Sequence, residues 1–278
     1  MQIILAGLSA LMYGAGDFCG GLASRRQPTL VVLFVSQLVG LAAAVIAVLV
    51  LGQPVPPPGD LLWGIAGGVC GAAGLAALYR ALASTLVAVA SPVAAVTGAV
   101  VPVLLALAGG ERPGSLAWIG MGLAVPAIAL LASGPGERAG GGLVRRAALM
   151  GAAAGAGFGL FFFCLAHTSR TSGLWPLAAA RVATITLVAI FALATRRQLR
   201  PRVEGLWVML LSGALDMGAN IAFLLAARAG LLTITAVITS LYPGPTVILA
   251  MIVFREKLTV LRALGLVLAL AGVACISV

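Results

Sequence analysis

Apolar runs of roughly 20 residues, separated by short clusters of Arg, Pro and Gly, follow one another along the whole chain. A hydrocarbon slab of about 30 Å takes about 20 helical residues to cross, so each run is long enough to span a bilayer. Breaking the sequence at its charge clusters and Pro/Gly-rich gaps predicts ten spans, approximately 2–22, 29–51, 60–82, 86–108, 114–133, 146–167, 173–195, 204–228, 231–254 and 259–277. The runs are continuously apolar and lack the alternation over about ten residues that a membrane barrel strand shows, so they are read as helices. The expected fold class is an all-α polytopic membrane protein with ten transmembrane helices.

Composition narrows the class further. With 62% hydrophobic and 9% charged residues in 278, the chain is far from a soluble domain, where about a quarter of residues are charged. The net charge of +10 comes from Lys and Arg clumped between apolar runs. They form no basic arm or domain, which argues against a nucleic-acid partner and for loop charges that orient the chain in a membrane. Cys19, Cys70, Cys164 and Cys275 all fall within apolar stretches, with no CxxC pair and no disulfide framework. No metal or other cofactor is expected. The start, MQIILAGLSALMYGAGDFCGG, lacks a positively charged n-region and an A-x-A-like cleavage site, and is expected to be a first span rather than a signal peptide.

The halves repeat. At an offset of 145 residues Phe18-Cys19 falls on Phe163-Cys164, Gly14 on Gly159, Gly68 on Gly213, Glu111 on Glu256 and Gly120 on Gly265. The Gly-rich stretch around 133–146 reads as the junction, dividing the chain into repeats at 1–134 and 146–278 joined by a linker at 135–145. Five spans per half is an odd number, so the second half enters the membrane upside down: two inverted five-helix repeats.

Charge orients the bundle. The connections after spans one, three, five, seven and nine carry thirteen cations: Arg25, Arg26, Arg80, Arg138, Arg145, Arg146, Arg196, Arg197, Arg200, Arg202, Arg255, Lys257 and Arg262. The opposite face carries Arg112, Arg170 and Arg228. By the positive-inside rule the Arg-rich face is cytoplasmic, with both termini outside. The expected location is a plasma membrane, the inner membrane of a bacterium.

Two segments, GGERPGSLAWIGMGLAVPAIALLA and FREKLTVLRALGLVLALAGVACIS, each place a Glu at the close of one span, then a short turn and a Gly-bearing span. This pair resembles the signature of the EamA family in the drug/metabolite transporter superfamily. YGAGDFCGGLASRR (13–26) and the stretch from Leu215 to Leu258 resemble a bacterial branch of it. The resemblance covers essentially the whole chain. It implies ten helices in two inverted repeats and a central cavity lined mainly by spans one, three, four, six, eight and nine. It also implies carriage of a small metabolite or drug-like molecule by alternating access. Members are usually expected with cytoplasmic termini, and on that point the charge distribution of this chain points the other way.

Asp17, Arg181 and Asp216 are the ionisable groups well inside spans, each costing about 2.5 to 3.5 kcal/mol at a helix centre on insertion scales. Counted from the Arg-rich face at about 1.5 Å per residue, Asp216 lies roughly 18 Å deep, Arg181 roughly 21 Å and Asp17 about 7 Å. An Asp216–Arg181 pair near the midplane is therefore expected, serving either as a titrating element of transport or as a permanent salt bridge between spans seven and eight. Asn220 sits one turn beyond Asp216, with Phe223 and Ala227 near the same stripe, and needs either substrate or helix partners. In span nine, Ser240-Leu241-Tyr242-Pro243-Gly244-Pro245 is expected to bend the helix and free carbonyls toward a cavity, with Ser240 and Tyr242 lining it. Pro92 and Pro102 are the counterpart hinge candidates in span four, beside Pro243, Gly244 and Pro245. Tyr13 and Tyr79, with Phe158, Phe161 and Phe162, are candidates for an aromatic wall.

Trp63, Trp118, Trp175 and Trp207 stand near span ends, as interface anchors do. Glu111 and Glu256 are expected to fix turns or bond adjacent helix ends, while Gly120, Gly122, Gly265 and Gly272 would let helices approach closely.

The function expected is secondary active transport, with protons as a candidate coupling ion and the chain acting as a monomer or a homodimer. A passive channel or lipid scramblase of the same architecture is the alternative. An intramembrane enzyme is disfavoured by the lack of HExxH, GxSxG or a clustered metal set, and the lack of a Walker A sequence disfavours ATP-driven transport.

Overall fold

The charge clusters, prolines and glycines end the helices where the apolar pattern breaks. A computed structural model of the chain describes residues 1–82, 87–132, 141–255 and 259–277, with backbone alone at 79–82, 87–88, 132, 141 and 277. Its helices are α1 (Gln2–Ser24), α2 (Thr29–Val50), α3 (Pro58–Leu82), α4 (Val87–Ala108), α5 (Ser115–Ala132), α6 (Gly141–Ala166), α7 (Trp175–Ala194), α8 (Leu206–Ala229), α9 (Leu232–Thr239), α10 (Pro243–Phe254) and α11 (Val260–Ser277), with a short 3-10 turn at Arg170–Ser172. All regular structure among the described residues is helical. Eight helical segments, α9 and α10 taken together as one, are long and apolar enough to cross a membrane, and Ser115–Leu131 and Val260–Ile276 are shorter apolar helices. Together they make up the ten expected spans.

The ninth span breaks where its prolines require. Pro243 and Pro245 have no N–H, so the carbonyls of Thr239 and Leu241 lose their i+4 donors. Those carbonyls are not left facing the cavity, contrary to expectation. Thr239 O accepts the Tyr242 N–H at 3.2 Å and Leu241 O accepts the Gly244 N–H at 2.9 Å, a tighter i→i−3 turn that joins α9 to α10. By contrast α4 runs unbroken through Pro92 and Pro102. Ten residues apart, each of these prolines removes a single bond, whereas two within three residues remove neighbouring ones.

Close contacts recur with the halves exchanged. A Cβ on Gly68 of α3 would strike the backbone of Ala180 on α7. Its repeat partner, Gly213 of α8, meets Ser36 of α2, where a Cβ would lie 2.6 Å from the carbonyl oxygen. Likewise Gly120 of α5 abuts the Gly272 carbonyl on α11, and Gly265 abuts Leu130 and Leu131. Small residues thus let backbones approach where lipid supplies no hydrophobic drive for helix association. Gly122 has open space around it and takes no part.

Candidate functional site

The buried charges meet between α2, α7 and α8. Arg181, 7% exposed, donates from Nη2 to Asp216 Oδ2 as an ion pair and from Nη1 to Gln37 Oε1 at 2.6 Å. Gly40, one turn after Gln37 on α2, makes room for the guanidinium: a Cβ there would sit 3.1 Å from Arg181 Nε. The expected pair therefore forms, and with Gln37 it is a triad. Asn220 Nδ2 donates to the Asp216 carbonyl at 2.7 Å, one turn back on α8. Phe223 is fully buried against Phe162 and lies outside the cavity lining.

The triad forms part of the wall of a cavity of about 570 Å³. Tyr13, Asp17, Ser240 and Tyr242 line it, as expected, together with Asn220 and the aromatic wall of Phe158, Phe161 and Phe162. The Tyr13 ring stands 5.9 Å from Phe162 and 6.3 Å from Tyr242, centroid to centroid. The side chain of Tyr79 lies outside the described residues. Pro92, Pro102, Pro243, Gly244 and Pro245 are not among the lining residues, although Gly14 on α1 presses against Pro245. The span assignment implied by the resemblance was too narrow: α2 contributes Ser36 and Gln37, and α7 contributes Arg181 and Thr184. Gln37, a lone amide within the apolar second span, carried a readable signal, since a polar group there needs a partner.

The cavity is one-sided. Its lining runs from the midplane groups to Ser24 and Thr29 at the ends of α1 and α2, beside Arg25 and Arg26, so it opens toward the Arg-rich face. At the opposite ends of the helices, polar side chains tie the bundle together. Glu111 accepts the N–H groups of Leu232 and Thr233 at 2.8 and 3.0 Å, bridging the α4–α5 turn to the start of α9. Both belong to the first turn of α9, where backbone donors have no helical acceptor. Asp60 at the start of α3 accepts the Ser169 hydroxyl at 2.5 Å, the Ser169 N–H at 3.1 Å and the Ser172 hydroxyl. Arg228 donates to Gly173 O at 2.8 Å and Thr168 Oγ1 at 3.0 Å, and Gln2 donates to Leu231 O at 2.5 Å. Glu111 thus bonds an adjacent helix end, one of its two expected roles; Glu256 lies outside the described residues. Asp60 and Arg228 escaped the sequence reading because residues at span ends look like ordinary loop charges.

The chain was compared with known proteins. The sequence model of the EamA-like transporter family matches residues 1–133 and 145–278. No curated protein matches the chain in sequence. Among solved structures, one titled "Crystal structure of protein" superposes with a TM-score of 0.79 at 18% identity, covering 98% of this chain and 94% of that one, a likeness of fold alone. Ten apolar helices, repeated contacts between inverted halves and a family match across both halves lead to one identification: the chain belongs to the EamA-like transporter family, a family of membrane transporters.

Proposed function

We propose that this transporter is a secondary active carrier that moves a small molecule by alternating access, with protons as the coupling ion. The observation that carries the reading is the one-sided cavity: a midplane chamber open to the Arg-rich face and closed by polar ties on the other. A pore would be continuous, whereas a carrier exposes its site to one side at a time. The two halves, 1–134 and 146–278, rock about the site. The α9–α10 break at Pro243, Gly244 and Pro245, with Pro92 and Pro102 in α4, absorbs the backbone change. The Glu111 and Asp60 ties open as the Arg-rich ends close.

Asp216 is the proposed coupling group. It holds Arg181 in the open conformation, and a shift of α7 against α8 exposes it to protonation. Purified protein in liposomes is expected to give saturable substrate flux that responds to a pH gradient, with the response lost in Asp216→Asn. Unsaturable flux indifferent to the gradient would establish a pore instead.

The Arg-rich face is proposed to be cytoplasmic, so the open cavity faces inward and both termini lie outside. An epitope tag at either end is expected to be accessible on intact cells; protection of both ends would reverse the orientation.

A further inference from the structure

The charged groups on the cavity wall are more acidic than basic. Among the described residues its charged groups are Asp17, Arg181 and Asp216. Arg181 gives one N–H from Nη1 to Gln37 and one from Nη2 to Asp216, so its charge is already engaged by a carboxylate. Asp216 uses one carboxylate oxygen in that pair and is still 30% exposed. Asp17, one turn beyond Tyr13 on α1, lines the same cavity and is exposed, and among the described residues no hydrogen bond or ion pair ties it down, while Arg25 and Arg262 line a neighbouring pocket with it. Among the described lining residues two carboxylates face one guanidinium.

A second, independent feature points the same way. Asn220 is 1% exposed and stands on the cavity wall, and its Oδ1 has no hydrogen-bond partner among the described residues. Its amide cannot simply be turned over, since Nδ2 donates to the Asp216 carbonyl and an oxygen in that place would face another acceptor. A buried acceptor left without a donor is costly, and a ligand N–H would satisfy it. The rings of Tyr13, Phe162 and Tyr242 lie on the same wall, a setting in which a cation is attracted to an aromatic face.

We infer that the substrate is an organic monocation, an ammonium with at least one N–H on an aromatic or apolar body: Asp17 supplies the counter-charge, Asn220 Oδ1 accepts the N–H, and the rings seat the body. A cavity of about 570 Å³ suits a molecule of drug-like size. This substrate class rests on the carrier reading above.

Equilibrium binding to the purified full chain tests it with three probes of one shape, 3-phenylpropylammonium, 3-phenylpropanol and 3-phenylpropanoate. The ammonium is expected to bind about tenfold more tightly than the alcohol, as one desolvated ion pair warrants, with the carboxylate weakest. Asp17→Asn should erase the difference between ammonium and alcohol, whereas Asp17→Glu should keep it. Tetraphenylphosphonium, a cation without a donor, should bind more weakly than the ammonium. The inference is overturned if the carboxylate binds as well as the ammonium, if none of the three binds, if the preference survives Asp17→Asn, or if the phosphonium matches the ammonium. Liposome flux separates the two layers. Tight ammonium binding without flux would sink the carrier reading and leave the cation site standing. Saturable flux of the alcohol or carboxylate without ammonium preference would do the reverse.

Discussion

Arg181→Ala is expected to abolish transport and to lower stability by about 3 kcal/mol or more, because the truncation strands the Asp216 carboxylate and the Gln37 amide in the bundle interior. For a chain of this size that is a drop of roughly 6 to 12 °C in the midpoint of thermal unfolding in detergent. The low end of the range is the sounder expectation, since Asp216 keeps some contact with cavity water. Removing both charges with apolar groups of similar bulk, Arg181→Met with Asp216→Leu, should recover most of the stability, because no unpaired charge then remains. It should not recover flux. A single Arg181→Ala variant that melts with the parent protein would show that the triad carries no structural load, and a double variant that transports would remove Asp216 from the coupling role.

The second large effect concerns backbone approach. Gly68→Val and Gly213→Val are each expected to prevent accumulation of folded protein, or to cost about 3 kcal/mol or more, at the severe end of overpacking. At Gly68 the new Cβ meets the Ala180 backbone, with Cα at 2.8 Å, and at Gly213 it meets Ser36 Cα at 2.8 Å. Backbone atoms of a facing helix cannot step aside as a side-chain tip can, so α3 and α7, or α2 and α8, must separate along their length. Gly122→Ala is the control. Nothing lies within 4 Å of its Cβ, and it should be neutral or slightly stabilising, since Ala favours a helix over Gly by about 1 kcal/mol. Monodispersity by size-exclusion chromatography and the unfolding midpoint measure all three. Equal behaviour of Gly68→Val and Gly122→Ala would refute the close α3–α7 crossing.

The two halves of the candidate site differ in how far they could be read from sequence. Asp216 and Arg181 announced themselves as charges deep in apolar spans, and counting residues from the Arg-rich face placed them at one depth. Gln37 was as exceptional in its own span but carries no charge, so it drew no attention until the fold set it beside Arg181. Asp17 lay nearer the surface by the same count. The fold sets it in one chamber with Asp216 all the same, because the cavity runs from the midplane along α1 as far as Ser24. The proline cluster in span nine was read correctly as a break but not as a repaired one, since the i→i−3 bonds depend on how the turn closes.

By itself the chain's pattern determined the number of spans, their helical character, the duplication at 145 residues and the face that carries the positive charge. These are properties of local hydropathy, parity and loop composition, which need no knowledge of neighbours. Tertiary structure alone decided that Arg181 bonds both Asp216 and Gln37, that among the described residues Asp17 has no hydrogen-bond or ion-pair partner and Asn220 Oδ1 no donor, and that Glu111, Asp60 and Arg228 tie helix ends together on one face. Each of those depends on which helices cross and at what height, and glycine contacts between residues more than a hundred positions apart set those crossings.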